Sequence, residues 1–173
     1  MRKGFSAMPD VVIRAERPED AAAIGRITAE AFAGTSYGHN GEAGIVEALR
    51  ADGALTVSLV AAEDGEIIGH AAFSPVQIET AEGDWHGLGP LSVAPAWQGR
   101  GVGQALVRDG LKALEALGSA GCVVLGDAAY YGRFGFRSDP ALRYGEASAY
   151  LQRLVWRGRP PSGEVRYHGA FGA

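Results

Sequence analysis

Glycines at 99, 101 and 103 punctuate the junction between an apolar run, 88–93, and a long amphipathic stretch, 101–117. That order predicts a strand turning sharply into a helix, with a turn so poor in side chains that main-chain N–H groups can converge. The first amides of a helix lack intrahelical acceptors and lie at the positive end of its dipole. A strand–glycine turn–helix junction of this kind accommodates a phosphate or pyrophosphate. The feature therefore demands a fold that combines sheet and helix, and it points to a phosphate-bearing ligand.

The spacing narrows the ligand. A phosphate-binding P-loop needs Gly-x-x-x-x-Gly-Lys-Ser/Thr, but Gln104 and Ala105 follow Gly103. The dinucleotide fingerprint Gly-x-Gly-x-x-Gly fails too, because Gln104 or Leu106 occupies the third glycine position. Sixteen Lys and Arg against twenty Asp and Glu give a net charge of -4, which disfavours a nucleic-acid partner held by bulk charge. The four histidines show no metal-ligand spacing and the single cysteine offers a zinc site no thiolate partners, so no metal is expected. Cys122 cannot form an intramolecular disulfide, and its apolar neighbours Val123, Val124 and Leu125 mark it as a buried strand residue. Gly34-Thr35-Ser36-Tyr37-Gly38 has the spacing of a hydrolase nucleophile elbow, but a helix, not a strand, precedes it.

Along the 173 residues there is no linker and no repeat, so a single domain over 1–173 is expected, with 1–9 disordered. Arg2 and Lys3 are not followed by an apolar segment, and no run approaches the roughly 20 residues of a membrane span. The expectation is a cytoplasmic protein. Residues 11–14 read as a strand, 18–32 and 42–50 as helices, and 34–41 as a loop. Glu63-Asp64-Gly65 joins strands 55–62 and 66–75 as a hairpin, and a second hairpin pairs 77–80 with 85–93. A helix at 101–117, a buried strand at 122–125, a helical turn at 130–134 and a strand at 150–156 follow, ending in a loop-like tail after Pro160-Pro161. Only the segment from Leu88 to Leu125 reads as a parallel crossover. The fold class is α+β, a mixed and mainly antiparallel sheet.

The surroundings of the glycine turn go further. The stretch 88–107 closely resembles the acetyl-CoA motif of the GNAT N-acetyltransferase superfamily, Arg/Gln-x-x-Gly-x-Gly/Ala, matched by Gln98, Gly101 and Gly103. Downstream, Tyr131-Gly132-Arg133-Phe134-Gly135-Phe136 is similar to the superfamily's Tyr-x-x-x-Gly-Phe, and the wording around both motifs resembles a bacterial subgroup called YhbS-like. The resemblance implies a twisted sheet splayed between strands 88–93 and 122–126, with helices on both faces.

It also implies a chemistry: transfer of an acetyl group from acetyl-CoA, used as co-substrate, directly to a primary amine. The alternative is a non-catalytic acyl-CoA-binding sensor or regulatory module. By the same resemblance the cofactor is bound at Gln98, Gly99, Arg100, Gly101, Val102, Gly103 and Gln104, the amides of about 100–104 holding the pyrophosphate, and the pantetheine arm pairs with the backbone of Leu91, Ser92 and Val93. An alkylamine with a pKa near 10.4 is only about 0.04% neutral at pH 7, so a deprotonation route is needed. Tyr131 occupies the family's tyrosine position and is the expected general acid for the departing thiolate, with Tyr130 as runner-up. Many relatives carry a Glu in the strand before the loop; here that position is Gly89, so the base stays open among His86, Glu42, Glu79 and a water chain. Acceptor contacts are expected from Phe32, Tyr37, His39, Glu42 and His86. The partners implied are a small-molecule or peptide amine and, as in many such folds, a second copy in a homodimer.

Overall fold

Asp64 and Gly65 both adopt positive φ, 52° and 80°, as a two-residue hairpin turn requires. They join β2 (Val57–Glu63) to β3 (Glu66–Ile78), and β1 (Val11–Ala15) adds to the outer edge of β2, all antiparallel. These coordinates come from a computed structural model in which residues 10–33 and 41–172 are described. β4 (Trp85–Val93) continues the meander antiparallel to β3, and β5 (Gly121–Leu125) pairs with β4 in parallel. β8 (Leu151–Val155) and the two-residue β6 (Arg137–Ser138) close that side, giving the order β1-β2-β3-β4-β5-β8-β6.

Helices cover both faces. α3 (Val102–Ala116) lays Leu106, Val107 and Leu114 over Ala71, Phe73, Leu88, Cys122 and Val124. Phe73 is seated against Gly110, where α3 has no side chain to obstruct the ring. On the opposite face α1 (Ala21–Phe32) and α2 (Glu42–Ala51) bury Ile24, Ile27 and Val46 against Val60, Ala62 and Ile67. Short α4 (Ala128–Gly132) follows β5, its start capped by the Asp127 carboxylate, which accepts the Ala129 N–H at 3.0 Å.

Three expectations need correction. Residues 77–78 do not begin a second hairpin; they finish the 13-residue β3 and pair with β9 (Gly163–Arg166). The segment after Pro161 is therefore not a bare tail, because its alternating burial lets Val165 pack under Ile78 and Trp85. The crossover is also not the only parallel pair, since β7 (Leu142–Arg143) runs parallel to β9.

The feature that positions the site is a bulge in β4. Leu91 pairs with Ala71 and Leu88 with Phe73, so β4 spends three residues where β3 spends two. Pairing with β5 stops at Leu88↔Val124, and beyond it the two strands part. Gly89 sits at the fork with φ of 141°, a backbone region that L side chains rarely adopt.

Candidate active site

From Val93 the chain passes through a 3-10 turn, Pro95–Trp97, to Gly99 (φ 79°) and Gly101 (φ 88°), which starts α3. The Gln98 side-chain amide donates back to the Val93 carbonyl at 3.0 Å, so this residue fastens the loop to the end of β4. Ala105 N–H finds the Gly101 carbonyl at 3.1 Å, while the amides of residues 101–104 have no main-chain acceptor among the described residues. They open onto a cleft of about 420 Å³ lined by Leu91, Val93, Trp97, Gly101, Gly103 and Tyr130, among others. The Val102 side chain is buried under the sheet, leaving only its backbone to the cleft. Arg100 is exposed and stacks over the Trp97 ring at 4.9 Å. Ser92, between the cleft-lining Leu91 and Val93, turns its side chain away from α3 and is almost fully buried. Beyond Leu88, the β4 edge that pairs with β5 has no strand partner among the described residues.

The two tyrosines separate. Tyr130 lines the cleft with its hydroxyl beside Gly103, where an added Cβ would stand 3.2 Å from it. Burial raises its phenol above the usual value, with Arg133 and Arg108 pulling the other way. The Arg133 guanidinium covers the Tyr130 ring at 4.7 Å. Tyr131 stands edge-on to Tyr130 at 4.9 Å and packs against Phe136 at 5.9 Å. Its ring edge lies over Gly126, immediately after β5, on the side where the strands part.

Among the expected acceptor contacts, Phe32 lines the same cleft from the end of α1. Glu42 is the first residue of α2, where a carboxylate also complements the helix dipole. Tyr37 and His39 lie outside the described residues. His86 is not in the cleft. It is buried, hydrogen-bonded through Nδ1 to Ser119 Oγ at 2.8 Å, and burial lowers its pKa against the opposing charge of Asp84. The cleft half of β4 begins only after Leu88, so the Trp85–His86 pair sits at the wrong end. His86 and Glu79 line instead a larger depression, about 1020 Å³, at that far end. Surface ion pairs cross it, Arg143 with Glu79 at 3.4 Å and Arg166 with Glu164 at 3.6 Å, and among the described residues no helix start lines it.

Sequence reading missed a polar cluster on the other face of the sheet. Glu16 accepts from Arg50 Nε at 2.8 Å and from Ser58 Oγ at 2.5 Å, and His70 Nε2 lies 2.8 Å from the same Ser58 oxygen. Burial works against the Glu16 charge, but the hydrogen bonds from His70, Arg50 and Ser58 outweigh it and hold the carboxyl well below the usual range.

Residues 55–138 match the acetyltransferase (GNAT) domain family. The chain is 42% identical over 127 residues to the uncharacterized N-acetyltransferase YhbS of Escherichia coli K12, covering 73% of each protein. A GNAT family acetyltransferase from Brucella melitensis, solved in complex with acetyl-CoA, superposes with a TM-score of 0.83 at 51% identity, over 93% of this chain and 97% of that one. The Escherichia coli YhbS structure in complex with CoA gives 0.85 at 35% identity, over 95% and 93%. With a forked β4–β5 pair, a glycine-started α3 and relatives matched over nearly their whole length, the chain belongs to the GNAT N-acetyltransferase family.

Proposed function

We propose that the chain moves an acetyl group from acetyl-CoA directly to a primary amine. One observation carries the reading: within a single cleft, the unpaired edge of β4 leads into the acceptor-free amides that begin α3. An extended, amide-bearing arm ending in a pyrophosphate is the ligand whose hydrogen-bonding groups match that order. The crystal complexes of the Brucella melitensis and Escherichia coli relatives with acetyl-CoA and CoA support it.

Acetyl-CoA supplies an acyl thioester; the protein supplies alignment and proton transfer. Main-chain groups of Leu91, Ser92 and Val93 hold the pantetheine arm, and the amides around Gly99, Arg100, Gly101, Val102, Gly103 and Gln104 take the pyrophosphate. Tyr131 is the proton donor to the developing thiolate, since a phenol stays protonated at neutral pH and this ring lies at the fork. Tyr130, with its hydroxyl beside Gly103, serves the phosphate end. Phe32 walls the acceptor side and Glu42 faces the entering amine.

The test pairs calorimetric titration with CoA and a thiol-release assay on acetyl-CoA against a library of primary amines. Amine-dependent thiol release with stoichiometric N-acetyl product is expected. Tight CoA binding with no release across the library would overturn the transfer reading and leave a binding module.

A further inference from the structure

Among the described residues, five buried side-chain polar atoms make no hydrogen bond, and four of them flank the β4 bulge on one face of the sheet: His70 Nδ1, Ser74 Oγ, Ser92 Oγ and Tyr167 Oη. The shared face follows from register. Ala71 and Phe73 pack beneath α3, so His70 and Ser74, which alternate with them, point the other way, toward α1. Ser92 is the cross-strand partner of His70, and Ser74 is the partner of Gly87. The Tyr167 ring lies over Gly87, within 2.6 Å of where a Cβ would be. His70 and Ser74 are 0% exposed and Ser92 is 1% exposed. Buried polar groups left without protein partners are rare, and a buried water commonly satisfies them.

The hydrogen-bond directions fix the state of His70. An ionised Glu16 can only accept, so Ser58 spends its one proton on Glu16. Ser58 can then only accept from His70, which places the imidazole proton on Nε2. The bare lone pair is on Nδ1, the atom that has no partner, on the face shared with Ser92. An imidazolium formed by protonation there would have the Glu16 carboxylate 3.6 Å from Nε2, with Arg50 completing the group from α2.

We propose that His70 is the proton acceptor of the acetyl transfer, reached from the fork through water held by Ser92, Ser74 and Tyr167. The proposal rests on the transferase reading above and supplies the base that Gly89 does not. In the step, one N–H bond of the substrate ammonium breaks and its electron pair stays on nitrogen as the attacking pair. The proton passes to a bridging water as that water's own proton forms the Nδ1–H bond of His70. The imidazolium later returns its proton to solvent by the same route. His70 acts through water and is thus a positioning and relay residue. Its partners in that role are Ser58 and Glu16, which hold the tautomer.

Two measurements test it. In a high-resolution crystal structure of the wild-type protein with CoA, an ordered water within hydrogen-bond distance of both His70 Nδ1 and Ser92 Oγ is expected. An Nδ1 in contact only with carbon atoms would overturn the relay. In the thiol-release assay, His70→Gln keeps a donor for Ser58 but no base. It is expected to lose at least tenfold in kcat with a charged alkylamine, to stay within about twofold with hydroxylamine, which is uncharged at neutral pH, and to bind CoA as wild type does. Equal losses for both nucleophiles, or none, would remove His70 from proton transfer. If His70→Gln fails to fold, Ser92→Ala must show the same split. Wild-type protein that binds CoA but acetylates neither nucleophile sinks the transferase reading instead, while the crystal structure still decides the hydrated track.

Discussion

Gly103 is the second residue of α3, and its α-carbon forms part of the cleft wall. A Cβ built there would stand 3.2 Å from the Tyr130 hydroxyl, 3.6 Å from Val93 Cγ2 and 3.9 Å from Leu91 Cδ2. Only the first distance is tight, and the end of a phenol can yield by a few tenths of an ångström. Gly103→Ala should therefore fold. Replacing glycine by alanine inside a helix gains about 0.5–1 kcal/mol, which raises Tm by about 1–4 °C for a chain of this size. Binding should move the opposite way, because the methyl group occupies the space through which a phosphate approaches the amides. Each charge-assisted hydrogen bond lost costs about 1.5–3 kcal/mol. Gly103→Ala, which hinders one amide, should weaken CoA binding by about tenfold. Gly103→Val projects two further carbons into the cleft and hinders at least two amides, about 3 kcal/mol or more, hence over about 100-fold in Kd. Thermal unfolding of the free proteins and calorimetric titration with CoA measure the two quantities separately. A folded Gly103→Val that binds CoA with wild-type affinity would refute the cradle.

Tyr131→Phe should lower acetyl transfer at least tenfold with unchanged CoA affinity, whereas Tyr130→Phe should mainly raise the Kd for CoA; the reverse pattern in the same two assays would exchange their roles. Gly101 has open space around its missing Cβ but a φ of 88°, so Gly101→Ala should cost about 1–2 kcal/mol through backbone strain alone, visible as a lower Tm. Gly110→Ala runs its methyl into the Phe73 ring, and overpacking of about 1–3 kcal/mol should exceed the helix gain of up to about 1 kcal/mol; Phe73→Leu should relieve it in a double-mutant cycle read by urea unfolding. Because the Glu16 carboxyl is depressed in the folded protein, its contribution to stability is present above the ordinary carboxylate range and is lost as pH falls toward the folded value. Glu16→Gln should thus be less stable at neutral pH but lose less stability between about pH 5 and pH 2 than wild type; parallel urea-stability curves would contradict the linkage.

What the chain shows of itself in sequence depends on how local the determinant is. The α3 cradle is set by glycines within six residues, and the Asp64-Gly65 hairpin by two, so both can be read directly. β9 could not be. It is four residues long, follows two prolines, and becomes a strand by pairing with residues 77–78, more than eighty positions earlier where β3 overhangs β4, and with β7. The same holds within the site. The adjacent tyrosines share every local property, and only the docking of α4 puts the Tyr130 hydroxyl beside Gly103 and the Tyr131 ring over Gly126. His86 invited a catalytic reading because it alternates with Trp85, but the bulge shifts the cleft to the other half of the strand. The Glu16–Ser58–His70 group comes from three segments and exists only in the assembled register.

The bulge also explains why the acid–base groups of such a site would be divided between α4 and β3. One extra residue between Leu88 and Leu91 lets both leucines face α3, so Gly87 and Ser92 both face α1. The main chain of β4 beyond the fork is thereby left for the donor, and its small side chains open the α1 face to neighbouring polar groups. A carboxylate at position 89 would have to adopt the positive φ that Gly89 supplies, a sparsely populated backbone region that costs an L residue about 1–3 kcal/mol. Placing the base on β3, opposite Ser92 and anchored to the Glu16 carboxylate, avoids that strain and keeps the fork free of side chains. On this arrangement, restoring a carboxylate by Gly89→Glu in a His70→Gln protein should not recover alkylamine turnover, because a side chain at this φ strains the backbone at the fork on which the donor lies; recovery to wild-type kcat in the thiol-release assay would show that β4 itself can carry the base.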